Sequence, residues 1–293
     1  GYLRSLLLSR RVDFSGRFVI TVDPTLDLDH VYLPYRALGI LFAPSIIHLL
    51  WKRPKQIDQL FQSNLIPNNP QSIERLLQHF YNRELPEEIE NVLCKIIDIA
   101  ITDKVIVAKR DPVLHQGSVF AFYPLGSKAS VANSHTMSIS PLVTEPFNAD
   151  FDGDTMAVYV PQTVEAIEEA KKLLPSAKRF SAGSGKVYFE IKQDYVIALY
   201  LLTKNTSKSQ PDETLVYPYS GNWYDLYKKY VTVASNPITI KQSDKVFKST
   251  YGRYIINAIA NLPSYINEPF TKKVANQWMS LLAKVAIGIE FME

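Results

Sequence analysis

Residues 146–156 read Pro-Phe-Asn-Ala-Asp-Phe-Asp-Gly-Asp-Thr-Met, which sets three carboxylates, Asp150, Asp152 and Asp154, at alternate positions within five residues. Like charges crowded on one face of an extended segment repel one another, so something must neutralise them. A hard divalent cation bound through oxygen does so directly. Gly153 permits the tight backbone turn that lets side chains on either side converge. Phe147, Phe151 and the run from Met156 to Val160 put apolar residues on both flanks, as a loop braced on a rigid β support requires. Two other structures use the same letters. A solvated acidic turn needs no ligand at all. An EF-hand calcium loop counted from Asp150 needs glycine at its sixth position and glutamate at its twelfth. Thr155 and Pro161 stand there, so that spacing fails.

The elements that must hold this loop can be read on both sides of it. Residues 11–23 place a polar turn, Asp13 to Gly16, before a run of valine, isoleucine and phenylalanine, which is the pattern of a loop feeding a strand. Further strands are expected at 104–108, 118–123 and 156–160. Residues 41–51 and 71–99 repeat leucine and isoleucine at helical intervals, with Pro67 and Pro70 between them. Pro86 opens a helix whose first residues are acidic, as helix starts prefer. The block at about 45–100 therefore reads as a helical insertion between strands. A helix over 162–174 stops at Pro175. Residues 181–186 form a flexible turn, 192–203 a helix, and the Ser-, Thr-, Lys- and Pro-rich stretch 204–221 a linker or surface loop. From about Tyr251 the tail mixes apolar helical segments with a loop at Leu262 to Pro269. This order of elements predicts an α+β fold with a barrel-like β core.

Composition narrows the function classes. With 46% hydrophobic and 21% charged residues, the chain has the balance of an ordinary globular protein. A formal charge of +3 is small for 293 residues, so any nucleic-acid contact must rest on local basic patches. Arg4, Arg10, Arg11 and Arg17 form such a concentration. Cys94 is the single cysteine, which rules out an intrachain disulfide and a cysteine-based zinc site and fits a reducing compartment. The most apolar stretch, Leu38 to Trp51, is interrupted by Pro44 and His48 and falls short of the roughly 18 residues of a membrane helix. A start at Gly1 running straight into Tyr2 to Leu8 suggests a piece of something larger.

Asn148 to Asp154, NADFDGD, resembles the signature loop of the largest, beta-prime-type subunit of multisubunit DNA-directed RNA polymerases. The likeness extends along the chain. RSLLLSRRVDFSGR (4–17) is similar to the family's entry to its barrel, and Asp23-Pro24-Thr25-Leu26 with Leu33-Pro34 to the segment that follows. Arg110 to His115 resembles the family's RAPTLH, and residues 140–146 lead into the signature as they do in the family. Val160-Pro161, Glu165-Ala166, Gln193-Asp194, Thr250 to Arg253 and Ile266 to Pro269 continue the match, which thins at 45–100 and 204–245.

The resemblance implies a double-psi β-barrel catalytic domain over 1–165 and a mostly helical, pore-side region over 166–293. It implies that Asp150, Asp152 and Asp154 hold a catalytic Mg2+ ion in nucleotidyl transfer from NTPs to the RNA 3′ end. Asn148 and Arg110 are implied to lie near the sugar of the incoming nucleotide. The simpler roles are turn support for Asn148 and an ion pair with Asp111 for Arg110. Arg4, Arg10, Arg11 and Arg17 are implied to lie near template DNA and the RNA–DNA hybrid. His115 reads as a core or barrel-supporting residue, and Tyr195, Tyr200, Tyr217 and Tyr219 as core or surface aromatics.

Missing from the sequence are the zinc element, the clamp, the bridge helix and the trigger loop of a complete largest subunit. The resemblance therefore implies partners: a beta-type second catalytic subunit and the remainder of beta-prime. A location in the cytoplasm or at the nucleoid follows, with no membrane association. The divergent middle and the compactness favour a split polymerase of the large-bacteriophage type over an excised fragment. Two rivals remain: a non-catalytic nucleic-acid-binding or assembly module that keeps the barrel, and a single-chain two-barrel RNA-dependent RNA polymerase. A carboxylate hydrolase lacks a second acid placed against the loop.

Overall fold

A computed structural model describes residues 12–52, 69–127, 135–181, 185–192, 194–206, 210–211, 213–262 and 264–290. They fall into two units, residues 1–183 and residues 184–293. Arg4, Arg10 and Arg11 lie outside the described residues, as do Pro67 and half of the turn at 181–186.

The first unit is built on a closed six-stranded barrel. Its strands are β1 (Ser15–Val22), β2 (His30–Leu33), β3 (Ile106–Arg110), β4 (Val119–Gly126), β5 (Thr136–Ile139) and β6 (Thr155–Tyr159). Around the barrel they run β1-β5-β2-β4-β3-β6, and β6 pairs back onto β1. The β1–β5 and β2–β4 pairs are parallel, while the β1–β6, β3–β4 and β3–β6 pairs are antiparallel. The two-residue alternation of strands sends Ile106 and Ala108, Phe120 and Phe122, Met137 and Ile139, and Met156 and Val158 to buried positions. This is the α+β barrel that the sequence implied.

Four helices among the described residues form the insertion between β2 and β3: α1 (Tyr35–Leu41), α2 (Ala43–Lys52), α3 (Pro70–Asn82) and α4 (Glu87–Ile101). Their periodic apolar residues, including Leu38, Ile46, Leu50, Ile73, Leu77, Leu93 and Ile97, are all buried. Asn69 caps α3 by accepting from the Gln71 N–H, and Pro86 precedes α4, whose first turn carries Glu87, Glu88 and Glu90. Inside this bundle Arg36 donates to Glu90 at 2.8 and 3.1 Å, so both buried charges are compensated. Two short helices follow, α5 (Thr144–Phe147) before the aspartate loop and α6 (Val164–Lys171) after β6. Ile167 and Ala170 of α6 pack over Ala121 on the outside of β4.

The second unit contains helices α7 (Asp194–Thr203), α8 (Trp223–Tyr230), α9 (Tyr251–Ala260) and α10 (Lys272–Glu290). It also contains a three-stranded sheet, β7 (Thr214–Tyr217), β8 (Pro237–Gln242) and β9 (Lys245–Thr250), which the sequence pattern did not reveal. β7 lies within the stretch read as a linker. Tyr217, on that strand, is fully buried and donates to the Leu262 carbonyl. Thr250 caps α9 by accepting from the Arg253 N–H at 3.4 Å. Arg253 donates to the carbonyls of Thr203 and Asn267 at 2.9 and 3.1 Å. Buried Asn257 donates to Arg253 and Ile266 carbonyls and accepts from the Ile266 N–H, at 2.8, 3.0 and 2.9 Å. The two C-terminal segments that matched the family in sequence thus hold this unit together. No helix of the described residues is long and apolar enough to cross a membrane.

Candidate functional site

The aspartate loop leaves the barrel between α5 and β6, and its footing is aromatic. Phe147, 1% exposed, lies edge-on to Phe120 at 5.6 Å and 6.2 Å from Phe122. Both partners are β4 side chains with no exposed surface, so the residue just ahead of Asn148 cannot shift without disturbing the core. Asn148 then takes the left-handed conformation, φ 47 and ψ 44, and closes α5 by donating its N–H to the Glu145 carbonyl at 2.9 Å. Asparagine tolerates this region better than most side chains. Gly153 turns the chain a second time at φ +122, with nothing near its Cα face.

At its far end the loop is tied to two strands. The Asp154 carbonyl accepts from the Ile20 N–H of β1 at 3.0 Å. Antiparallel pairing sets Arg110 of β3 opposite Met156 of β6, which brings the guanidinium beside Asp154 two residues earlier. Arg110 Nε donates to Asp154 Oδ2 at 2.7 Å, and the Asp150 N–H donates to the same oxygen at 3.1 Å. Among the described residues, the other nitrogens of Arg110 have no hydrogen-bond partner.

These contacts bring Asp150, Asp152 and Asp154 together: one oxygen from each lies within 4.8 Å of the others. The group is electrically lopsided. The hydrogen bond from Arg110, against a smaller opposing effect of burial, holds the Asp154 carboxyl below the ordinary aspartate range. Asp150 is pushed the other way, chiefly by its hydrogen bond with Asp152, with the charges of Asp152 and Asp154 adding to the effect. Asp150 and Asp152 are exposed, and Asp154 is half-buried. The structure therefore fixes one ionised carboxylate and sets two more beside it, short of positive charge. An all-oxygen donor set of this kind suits a small hard cation that keeps several waters.

The remaining candidates are placed as follows. Asn148 is exposed at the start of the loop. Arg110 does not pair with its neighbour Asp111, which is held instead by Arg17 at 3.0 Å and Lys109 at 3.1 Å. Arg17, Ala157 and Lys109 sit side by side on β1, β6 and β3, so the exposed Arg17 lies on the barrel's outer face. His115 is exposed and not in the core; its Nδ1 accepts from the Gly117 N–H at 3.0 Å and caps a short 3-10 turn, Gln116–Ser118. Sequence reasoning gave Asp111 the wrong partner and passed over the supports Phe120 and Phe122, because these roles depend on strand register.

A family model described as RNA polymerase Rpb1, domain 2, matches residues 9–175. The chain belongs to this RNA polymerase largest-subunit family. The Rpb1-type match takes in the described barrel strands, the aspartate loop and α6. DNA-directed RNA polymerase subunit beta' of Malacoplasma penetrans is 31% identical over 92% of this chain and 20% of its own length. The beta' subunit of Aliarcobacter butzleri is 31% identical over 99% of this chain and 17% of its own length. The beta' subunit of Guillardia theta is 33% identical over 79% of this chain and 33% of its own length. The chain thus spans between about a sixth and a third of these curated relatives.

Proposed function

We propose that the chain supplies the catalytic centre of a DNA-dependent RNA polymerase. The observation that carries this is the convergence of Asp150, Asp152 and Asp154 within 4.8 Å on a loop anchored to the barrel wall. Family membership points the same way.

Each residue has a distinct task. Asp154, ionised and oriented by Arg110, gives the site a fixed anchor. Asp150 and Asp152, more exposed and mutually repelling, complete a carboxylate set for Mg2+. An ion held there would lower the pKa of the RNA 3′ hydroxyl and stabilise charge on the phosphate under attack, and a second ion would come with the NTP. The protein forms no covalent bond to substrate, because in-line phosphoryl transfer depends on positioning and electrostatics. Asn148 and the free nitrogens of Arg110 flank the carboxylates and are suited to the hydroxyls of the incoming sugar. Arg17, with Arg4, Arg10 and Arg11, contacts template DNA and the hybrid through phosphates, for which the guanidinium fork is suited.

A beta-type subunit and the remainder of beta-prime, with bridge helix and trigger loop, complete the enzyme, and the chain is active only in that assembly. A split beta-prime of bacteriophage type, working in the host cytoplasm or at the nucleoid, accommodates this arrangement. Purification from the native source with identification of bound chains, followed by primer extension, tests the proposal. Recovery with beta-like and beta-prime-like chains and magnesium-dependent extension supports it. Recovery without polymerase partners and without extension points to a barrel kept as a non-catalytic scaffold.

A further inference from the structure

Unit 1 carries a second concave feature away from the aspartates. A notch of about 370 Å³ opens where β1 and the start of β5 meet α1 and the end of α3, lined by Arg17, Arg36, Tyr81, Arg83 and His135 among others. Among the described residues, no aspartate or glutamate lines it. Arg36 is already occupied by Glu90 and the Phe80 carbonyl. Arg83 is different: among the described residues no carboxylate pairs with it, and its one side-chain partner is His135 Nε2 at 2.9 Å. A guanidinium can only donate, so His135 Nε2 is the acceptor of this bond and brings no negative charge. Among the described residues the charge of Arg83 is therefore without a carboxylate partner.

The adjacent carboxylate, Glu84, is paired with His79 instead. Arg83 closes α3 in the left-handed conformation, φ 65 and ψ 36. Two of the last four carbonyls of α3 are already satisfied there: His79 by the Glu84 N–H, Phe80 by Arg36 and the Arg83 N–H. Tyr81, two residues back, is 56% exposed and lines the same notch with an aromatic ring. Arg17 stands at the opposite rim, held by an exposed pair with Asp111 that an incoming anion can replace. A concave cation with an adjacent bare aromatic ring is the chemistry of a phosphate bound next to a stacked base.

We propose that Tyr81, Arg83 and His135, with Arg17 at the rim, form a nucleic-acid subsite that takes one backbone phosphate and a neighbouring base. The subsite rests on the nucleic-acid role given to Arg17 and extends it to the helical insertion. The test is fluorescence anisotropy of the full chain with a labelled single-stranded oligonucleotide of about 12 nucleotides, titrated with salt. Arg83→Ala is expected to weaken binding at least about fivefold and to lower the salt slope by about one. Tyr81→Ala is expected to weaken it by a similar factor with the slope unchanged, since stacking releases no counterions. Arg75→Ala, an exposed arginine on the same helix and outside the notch, is the charge control, and circular dichroism confirms that each variant is folded. Arg83→Ala and Tyr81→Ala indistinguishable from Arg75→Ala, with Arg17→Ala still weakening binding, would overturn the subsite and leave the role of Arg17 standing. A polyglutamate peptide competing as well as unlabelled oligonucleotide, with Tyr81→Ala silent, would reassign the notch to an acidic partner. No binding by the unsubstituted chain at low salt would overturn both.

Discussion

Arg110 and Asp154 are joined by a 2.7 Å hydrogen bond between side chains only 16% and 21% exposed, across 44 residues of sequence. The bond does two things at once. It fixes the last aspartate of the loop in one rotamer, and it sets a guanidinium beside the carboxylates.

Arg110→Ala should therefore weaken two properties that are measured separately. Removing the donor leaves the Asp154 oxygen with the Asp150 N–H alone, a loss of about 1–3 kcal/mol in denaturant unfolding. In the assembled enzyme the same variant should discriminate less between ribo- and deoxyribonucleotides. Unchanged selectivity would remove the sugar role and leave the positioning of Asp154 intact.

Asn148 separates backbone from chemistry. At φ 47 an alanine is strained by roughly 1–2 kcal/mol, whereas a glycine is not. Asn148→Gly should keep near-native stability while losing the amide, and Asn148→Ala should lose both. Equal sugar selectivity in Asn148→Gly and the unsubstituted enzyme would reduce Asn148 to a turn residue.

Much of the arrangement could be read from sequence where a pattern was long enough to show its period. β1, β3, β4 and β6 were expected from runs of apolar, largely β-branched and aromatic residues, and α2, α3 and α4 from leucine and isoleucine spacing. β2 and β5 are four residues each, too short for alternation to register. The β8–β9 hairpin turns at Ser243 and Asp244 with Ser243 at φ 49, without the glycine or asparagine that usually flags such a turn. The spacing of the three aspartates left a cation site and a solvated acidic turn both open, and the longer NADFDGD motif is what singled out the loop. The partner of Arg110 did not follow from spacing, because adjacent Asp111 was the obvious candidate and only the β3–β6 register selects Asp154.

Gly252, in the segment Thr250 to Arg253, has no room for a side chain: a Cβ there would lie 1.8 Å from the Leu202 carbonyl oxygen of α7. Backbone cannot step aside as a flexible side chain can. Gly252→Ala should destabilise the second unit by at least the roughly 1–3 kcal/mol of overpacking. Hydrogen exchange should show faster opening of α7 and α9, with the barrel strands unchanged.

Cys94 is buried in α4, and burial, with the nearby charges of Asp98 and Glu90, pushes its thiol up to about 12. At pH 8 the thiolate fraction is on the order of 10⁻⁴, against roughly a quarter for a free thiol near 8.5. A disulfide reagent should therefore react with the folded chain only through opening of the helical insertion, and promptly once denaturant unfolds it. Rapid labelling of the native chain would contradict the packing around α4.

The central claim is that the three converging aspartates carry out catalysis, and Asp152 tests it best because it is exposed and contributes least to the fold. The measurement is magnesium-dependent primer extension by the assembled polymerase carrying Asp152→Ala, with assembly checked by co-purification. The expected result is intact assembly with extension reduced by at least about 10²–10³-fold, the scale of removing one electrostatic stabiliser from a reacting centre. Extension at the unsubstituted rate in an intact assembly would contradict the claim and leave the loop as an acidic turn on a structural barrel.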